Sequence, residues 1–326
     1  MERKLREFVK PTVIVSKCIE FESCRYNGLK ISSDVVRKLI THVRFFTVCP
    51  EVEIGLGIPR NPTRLVMVKG EARLIQPATK DDFTDKMNHF TNSFLDSLDE
   101  VDGFILKSRS PSCGTKDVKV YASSEKGMAV RRGKGFFAGS VLERFSHLAI
   151  EDEGRLTNFR IREHFLTKAF TLARFRRVKG SRSMGELVKF QTENKLLLMA
   201  YNQKDLRNLG KIVANHEKRP KVEVFKNYEL NLWNAFARPS RHTSNINVLM
   251  HGLGGFSKKL SPDEKSFFLN TIDEYRDERV PLSVPLNILK SWAVRFEDDY
   301  LMNQTFVEPY PVELMEITDS GKGRDF

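Results

Sequence analysis

Short apolar runs alternate with amphipathic segments along the first half of the chain. Three runs rich in β-branched or aromatic residues have the length of strands: 13–15, 45–48 and 103–106. Because each run stops at a loop-forming sequence, we expect three buried strands. Residues 33–43 and 82–98 instead carry apolar side chains every three or four positions, which predicts helices. Strands that alternate with helices indicate an α/β domain with an open, mostly parallel sheet and flanking helices.

Two further patterns complete the predicted fold. Alternating residues on both sides of Gly70 predict a hairpin over 64–75, at an edge of the sheet. Beyond residue 155 the periodicity is helical, in segments that we place at 158–177, 183–199, 206–213, 228–236, 243–251, 261–279 and 284–296. Ser261 precedes a proline and two acids, which is typical of a helix start. The second half therefore predicts an all-α domain.

The acidic segment 151–154 interrupts the first pattern and predicts a domain junction. We expect an α/β domain over residues 1–150, a helical domain over 155–316 and a flexible tail over 317–326. A chain of 326 residues has the length for two domains. Its 40% of apolar residues, with 24 phenylalanines, are sufficient for two packed cores and argue against global disorder.

The expected location of the protein follows from two kinds of apolar segment that the sequence does not show, a membrane-spanning helix and a secretory signal. No segment approaches the roughly 20 apolar residues of a membrane-spanning helix. The first residues, M-E-R-K-L-R-E-F, are charged and lack the apolar stretch of a secretory signal. We therefore expect a cytoplasmic protein without membrane contacts.

Positive charge is concentrated in one part of the chain. The net charge is +12, and residues 155–221 alone hold 17 Lys and Arg against 5 Asp and Glu. A concentrated basic segment predicts a polyanionic partner, although a solvated helix surface is the alternative. The candidate phosphate contacts are Arg174, Arg176, Arg177, Lys179 and Arg182. Phe165, Phe170 and Phe175 have helical spacing, so we expect them in the core rather than stacked on bases.

Three cysteines stand in three separate loop-forming sequences of the first domain. Cys18, Cys49 and Cys113 each follow one of the predicted strands, by a few residues in each case. Because ligands collect at the carboxyl ends of strands in an open α/β sheet, we expect the three thiols to converge. Cysteines of a cytosolic chain of this size predict metal or redox chemistry rather than a disulfide framework. Three protein ligands would leave one metal position open to a substrate.

Four other interpretations of the cysteines remain open at this point. A structural zinc site usually shows pairs spaced C-x₂₋₄-C, whereas the closest pair here, Cys18 and Cys24, is six residues apart. A thioredoxin-like redox pair requires C-x-x-C, which is absent. The thiols could also be buried and inert, or one could be a nucleophile paired with a histidine. We do not expect Cys24 to be a ligand, because a fourth thiolate would close the metal centre.

Residues beside the cysteines carry complementary chemistry. Glu51 follows Cys49 by two positions, so in an extended loop both side chains would project to the same side. Its carboxylate can orient or deprotonate a water molecule, unless it is only a surface acid. Ser110 and Ser112 can donate to a substrate or can satisfy the backbone of their turn. A cationic pocket rim is expected from Arg25, Tyr26, Lys107 and Arg109.

These sequences resemble a known family. The motifs S-K-C-I-E-F-E-S-C-R-Y-N-G, V-C-P-E-V-E-I-G-L-G-I-P-R-N-P and I-L-K-S-R-S-P-S-C-G are similar to those of the thiouracil desulfidase domain family, over about residues 8–150. The helical half, with H-F-L-T-K-A-F-T-L-A-R-F and G-E-L-V-K-F-Q-T-E-N-K-L-L-L-M-A-Y-N, resembles the YbgA-like domain that is often fused to it. Residues 19–21 depart from the common leucines and glycine, which affects the expected shape of the pocket.

The resemblance implies a specific cofactor and substrate. It implies a [4Fe–4S] cluster held by Cys18, Cys49 and Cys113 with one iron open, assisted by the Glu51 carboxylate and the Ser110 hydroxyl. Two-domain members are similar to desulfidases that remove sulfur from 4-thiouridine in transfer RNA, so tRNA is the expected partner. We expect hydrolysis of the C–S bond without net redox change. Alternative functions are desulfidation of free thiouracil or thiouridine nucleotides, and RNA binding by a protein whose cluster is structural or sensory.

Overall fold

The structure is a computed structural model that describes residues 6–125 and 127–316. The chain separates into two compact units: Met1–Ala173 with Glu313–Phe326, and Arg174–Val312. The division falls within a long helix, Phe159–Ser181. Residues 317–326, which were predicted to be a flexible tail, lie outside the described residues.

The first unit is an α/β structure, as predicted. Its strands are β1 (Thr12–Ser16), β2 (Arg44–Val48), β3 (Arg64–Val68), β4 (Glu71–Gln76), β5 (Asp81–Asp82), β6 (Gly103–Leu106), β7 (Val118–Tyr121), β8 (Ala129–Gly133) and β9 (Ala149–Asp152). Its helices are α1 (Asp34–Leu39), α2 (Pro50–Glu53), α3 (Thr84–Asp96) and α4 (Phe136–Arg144). The strands form two separate sheets rather than one.

The first sheet is parallel throughout, in the order β2-β1-β6-β9. It contains all three predicted strands, and β1 and β6 are completely buried because their β-branched and aromatic side chains pack on both faces. The predicted burial of β2 is wrong. This strand lies at the edge of the sheet, and Phe46 is 45% exposed. The register pairs Ser16 with Val48 and Val15 with Ile105, so the three strands end near one another.

The second sheet has the order β5-β4-β3-β7-β8 and is mostly antiparallel. It contains the predicted hairpin, which turns at Gly70 with a φ of +88°. The hairpin was expected at a sheet edge, but its two strands lie between β5 and β7 in this second sheet. Its core is formed by Leu65, Leu74, Met87, Val118 and Val120, all nearly inaccessible to solvent.

The acidic segment 151–154 does not interrupt the sheet. Its first two residues lie in β9, the fourth strand of the parallel sheet. Glu151 pairs with Arg155 at 2.8 Å, and Asp152 accepts hydrogen bonds from Thr115 and from the backbone of Arg155. Because each carboxylate has a donor, a charged strand end is accommodated at the sheet edge.

The remaining helices are α5 (Phe159–Ser181), α6 (Met184–Glu193), α7 (Lys195–Tyr201), α8 (Gln203–Ala214), α9 (Lys221–Ala235), α10 (His242–Phe256), α11 (Pro262–Arg276), α12 (Ser283–Arg295) and α13 (Asp299–Met302). The predicted all-α fold of the second half is confirmed. Ser261 and Glu264 form a capping box at the start of α11. The single helix predicted over 183–199 is wrong, because the chain breaks at the fully buried Asn194. The amide of Asn194 bonds to the carbonyl of Phe190 and to the hydroxyl of Thr305.

Within residues 6–125 and 127–316, no helix combines the length and the apolarity that crossing a membrane requires.

Candidate metal centre

The three predicted ligand cysteines follow three neighbouring strands. Cys18 lies two residues after β1, Cys49 directly follows β2, and Cys113 lies in the loop after β6. Since these strands are adjacent and parallel, their carboxyl ends meet at one edge of the sheet. All four cysteines are buried free thiols. The sheet therefore brings the cysteine loops together as the apolar runs predicted.

Cys24 also belongs to this group of thiols. The thiols of Cys18 and Cys49 are close enough to that of Cys24 to shift its pKa, and the Cys49 sulfur lies 3.9 Å from the Cys24 carbonyl oxygen. Burial raises the pKa of the Cys113 thiol, and the nearby Cys49 and Glu51 raise it further. The structure thus places Cys24, which we did not expect to be a ligand, beside two of the three predicted ligands.

Three of the thiols, those of Cys24, Cys49 and Cys113, have raised pKa values that favour the protonated form. The neighbouring Cys18 thiol, together with burial, raises the pKa of Cys24 to about 11. The neighbouring Cys24 side chain and burial raise the pKa of Cys49, and burial raises that of Cys113. Buried thiols of this kind become thiolates when a cation neutralises them. Buried soft donors with raised pKa values fit an iron–sulfur cluster better than a redox pair or an exposed nucleophile.

The separation of the thiols matters for the type of metal centre. In the described part of the chain, no three His, Cys, Asp or Glu side chains are grouped closely enough for one metal ion. The cysteines of a [4Fe–4S] cluster bind different irons, so their sulfur atoms are spread around the cluster. Ligation by Cys18, Cys49 and Cys113 remains a prediction.

A tight loop carries Cys113. The Ser110 hydroxyl accepts hydrogen bonds from the backbone N–H groups of Ser112 and Cys113, at 3.2 and 3.1 Å. The start of α4 holds the same loop, since Gly135 N–H donates to the Gly114 carbonyl at 2.8 Å. A Cβ atom on Gly135 would lie 2.5 Å from the Ser112 carbonyl oxygen. Only glycine allows this close approach between α4 and the Cys113 loop.

Glu51 lies on the first turn of α2, for which Cys49 is the N-cap residue. The expected extended loop is therefore wrong, because Pro50 starts a short helix directly after the cysteine. One carboxylate oxygen, Oε2, accepts from the Nε and Nη2 atoms of Arg60 at 2.9 and 2.7 Å. The other, Oε1, accepts from the Ser112 hydroxyl at 2.9 Å. Glu51 is thus a largely buried carboxylate that is held by hydrogen bonds on both oxygens, and not a surface acid.

Arg60 is a site residue that sequence reasoning missed. Besides Glu51, its side chain donates to the carbonyls of Cys24 and Gly57 at 3.0 and 3.2 Å. Its backbone N–H donates to the Tyr26 carbonyl at 2.8 Å. The sequence feature that could have identified Arg60 is its position in the motif around Cys49, in a glycine- and proline-rich loop. A buried glutamate needs a cationic partner, and this arginine is nearby in sequence.

Some of the predicted pocket residues are exposed, and others are buried or paired with an acid. Arg25 and Tyr26 lie together, with the guanidinium 5.6 Å from the ring centroid, and Tyr26 and Arg109 are exposed. Ser112 is completely buried behind Glu51. Lys107 does not add charge to a rim, because its Nζ pairs with Glu153 at 2.6 Å.

The candidate phosphate contacts differ in whether they are paired with an acid or exposed to solvent. Arg174 pairs with Glu193 and lies 5.5 Å from the Phe190 ring, and Lys179 pairs with Glu229 at 2.9 Å. Arg176 is half-buried, whereas Arg177 and Arg182 are exposed. The structure thus gives the basic positions different surroundings and does not test RNA binding. The predicted core positions of Phe165, Phe170 and Phe175 are confirmed, at 2–3% exposure.

Comparison with known proteins divides the chain in a similar way. The sequence model of the 2-thiouracil desulfurase family matches residues 13–153. That of a family described as a protein of unknown function, DUF1722, matches residues 195–311. YbgA of Escherichia coli K12, an uncharacterized protein, is 27% identical over 48% of this chain and 93% of its own length. The uncharacterized YbbK of Bacillus subtilis 168 is 31% identical over 32% of this chain and 73% of its own length.

A solved structure, that of the [4Fe–4S]-dependent thiouracil desulfidase TudS, is 27% identical to this chain, with a TM-score of 0.36. The match covers 45% of this chain and 93% of TudS. The two family models match different parts of the chain, one after the other in sequence. The chain therefore belongs to the two-domain thiouracil desulfidase-like family, in which a 2-thiouracil desulfurase domain precedes a helical DUF1722 domain.

Proposed function

We propose that this chain is an iron–sulfur-dependent desulfidase that removes sulfur from thiolated uridine in transfer RNA, giving uridine and sulfide. The observation that carries the proposal is the meeting of the Cys18, Cys49 and Cys113 loops at one sheet edge, beside Glu51. Membership of the thiouracil desulfidase-like family supports the same reaction class. The tRNA substrate is the finer part of the proposal.

The cofactor is a [4Fe–4S] cluster held by Cys18, Cys49 and Cys113. These three buried free thiols supply the soft donors that such a cluster prefers. When bound with one iron free of cysteine, the cluster supplies a soft Lewis acid suited to a thiocarbonyl sulfur. The other tasks of the reaction fall to residues of the chain itself.

Glu51 orients the attacking water. Its carboxylate has four lone-pair positions, and the hydrogen bonds from Arg60 and Ser112 occupy three of them. One position on Oε1 is left to accept a hydrogen bond from water. Ser110 uses its oxygen to accept from two backbone N–H groups, so its own proton is directed away from the loop. We assign Ser110 the relay of one proton from the attacking water to the leaving sulfur, so that the hydroxyl regains a proton as it gives its own.

The reaction balances as a hydrolysis. The oxygen of water forms the new bond to the ring carbon, the C–S bond breaks, and the two protons of water leave with sulfur as hydrogen sulfide. No electron acceptor or donor is required. The basic excess of residues 155–221 supports an RNA substrate, because a free base has no phosphates to neutralise.

The direct test is anaerobic incubation of the iron–sulfur-loaded protein with thiolated tRNA and, separately, with thiouracil and 4-thiouridine monophosphate. Release of sulfide from tRNA, at a higher kcat/KM than from the monomers, is the expected result. Equal or better activity on the monomers would replace tRNA by a free thiopyrimidine. No sulfide from any of the three would overturn the proposal.

One observation favours a second function, in which the cluster is structural or sensory. Cys24 lies close enough to Cys18 and Cys49 for both to shift its pKa, so it is a candidate fourth thiolate. A cluster with four cysteines has no open iron. This alternative predicts RNA binding without sulfide release. It also predicts that addition of a small thiolate or cyanide leaves the electron paramagnetic resonance spectrum of the reduced cluster unchanged.

A further inference from the structure

We propose that Arg60 and Ser112 are positioning residues that hold the Glu51 carboxylate from both sides and leave one defined lone pair for water. This inference rests on the proposed function, in which Glu51 orients the attacking water. Neither residue needs to touch the substrate. Both act through the Glu51 carboxylate, which orients the attacking water.

The contacts on Glu51 are asymmetric. Arg60 directs two donors, Nε and Nη2, to the same oxygen, Oε2, which saturates that atom. Ser112 directs one donor to Oε1, at 2.9 Å. The Arg60 side chain is 6% exposed and that of Glu51 13%, so bulk water contributes little to their solvation. A water molecule can therefore donate a hydrogen bond to Oε1 alone. The carboxylate thus holds the attacking water in one orientation instead of four.

Arg60 also connects Glu51 to the pocket wall. Its Nη1 atom donates to the carbonyls of Cys24 and Gly57, and its backbone N–H donates to the Tyr26 carbonyl. Arg60 thereby fixes the position of the Glu51 carboxylate relative to the loop that contains Cys24 and Tyr26. A lysine has a single nitrogen and cannot form this set of bonds from one position.

Ser112 is positioned independently of Arg60. Its carbonyl accepts from the Ala138 N–H at 3.0 Å, so α4 supports it from behind. Its hydroxyl is fully buried, which excludes a direct contact with substrate in this conformation. The two supports of Glu51 thus come from different loops, and each can be removed without the other.

The test compares Arg60→Lys and Ser112→Ala with Glu51→Gln in the cluster-loaded protein. Arg73→Lys is the matched control, because Arg73 forms an Arg–Asp pair with Asp82 at 2.7 Å in the second sheet, which carries none of the cysteines. We expect kcat to fall about 10- to 100-fold in Arg60→Lys and about 10-fold in Ser112→Ala, with KM within about 3-fold, since small displacements of a catalytic group have this effect. Arg73→Lys is expected to retain the wild-type kcat.

Two readouts besides activity distinguish positioning from a general structural role. Iron and sulfide content per chain and the affinity for uridine monophosphate are expected to stay at the wild-type level in both variants. Amide hydrogen exchange of residues 24–29 is expected to increase in Arg60→Lys only, because the Cys24 carbonyl loses its donor. If Arg60→Lys does not fold or load its cluster, Ser112→Ala decides the question, since it removes one hydroxyl.

The outcomes separate this inference from the proposed function. Wild-type kcat in Arg60→Lys or Ser112→Ala, in a series where Glu51→Gln is inactive, overturns the inference and leaves the desulfidase intact. A fall in activity that matches a fall in iron content also overturns it. Absence of sulfide release by the wild-type protein overturns the proposed function itself.

Discussion

The Cys49 thiol lies beside the backbone of Cys24, with its sulfur 3.9 Å from the Cys24 carbonyl oxygen, and the neighbouring Cys24 side chain raises the pKa of Cys49. Cys24 follows β1 and Cys49 follows β2, so the contact joins two loops at the carboxyl edge of the parallel sheet. It makes Cys24 the residue that decides whether the metal centre is open or closed.

The first prediction concerns the number of cysteine ligands. Substitution of Cys18, Cys49 or Cys113 by alanine is expected to abolish the iron–sulfur absorbance and most of the bound iron, because each removes a thiolate. Cys24→Ala is expected to retain the iron content and the desulfidase activity. Iron and acid-labile sulfide analysis of anaerobically purified variants measures this. Loss of the cluster from Cys24→Ala, to the same extent as from the others, would identify a fourth ligand.

The second prediction concerns the support of the Cys113 loop by α4. Gly135→Ala is expected to lower the free energy of unfolding by about 1–3 kcal/mol, because its Cβ atom would lie 2.5 Å from the Ser112 carbonyl oxygen. Gly139→Ala, in the same helix with no atom within 4 Å of the added Cβ, is the control. It is expected to raise stability by up to about 1 kcal/mol through helix propensity. Urea unfolding measures both, and an equal effect of the two substitutions would refute the proposed close packing.

The third prediction concerns RNA binding by the exposed cations at the end of α5. Arg177→Gln with Arg182→Gln is expected to weaken tRNA binding and to reduce the slope of log affinity against log salt by about 1 for each phosphate that is no longer neutralised. Arg276→Gln on α11 is the control, since its guanidinium pairs with Asp273 in the same helix. Fluorescence titrations at several salt concentrations give the slope. An unchanged slope in the double variant would remove these two residues from the RNA surface.

The fourth prediction concerns a buried lysine. Burial lowers the pKa of Lys168 from 10.5 to about 8, because its charged form is poorly solvated on α5. Between pH 8 and pH 10 the unfolded chain therefore binds more protons than the folded one, and stability rises with pH across that window. Lys168→Met is expected to stabilise the protein at pH 7 by on the order of 3 kcal/mol and to remove this rise.

Thermal or urea unfolding at pH 7, 8, 9 and 10 checks the fourth prediction. Lys189→Met, at an exposed position on α6, is the control and is expected to change stability by less than about 0.5 kcal/mol. A wild-type protein whose stability falls from pH 8 to pH 10, with no gain in Lys168→Met, would contradict a buried, destabilising ammonium group.

The sequence predicted those parts of the structure that depend on local patterns. The apolar runs at 13–15 and 103–106 could only be buried strands, and their common direction placed the cysteine loops at one edge. The strand β9 was missed because its residues Glu151 and Asp152 are acidic, and their partners come from other segments. Arg60 was missed for a related reason, since its role depends on three carbonyls and a carboxylate that only the folded chain assembles.

The helix break at Asn194 shows the same limit. The segment 183–199 contains no proline and no glycine after Gly185, so helical periodicity predicts one helix. The structure breaks it because the buried Asn194 side chain bonds to Thr305, which is distant in sequence. Short-range propensity cannot anticipate a competing bond of this kind.

The most direct test of the account is the mass of the product formed in water enriched in ¹⁸O. Iron–sulfur-loaded protein is incubated anaerobically with tRNA that contains 4-thiouridine, and the digested nucleosides are analysed by mass spectrometry. The account predicts uridine in place of 4-thiouridine, with one ¹⁸O atom in the base, and no such product with Glu51→Gln. Unchanged 4-thiouridine, or uridine without ¹⁸O, would contradict it.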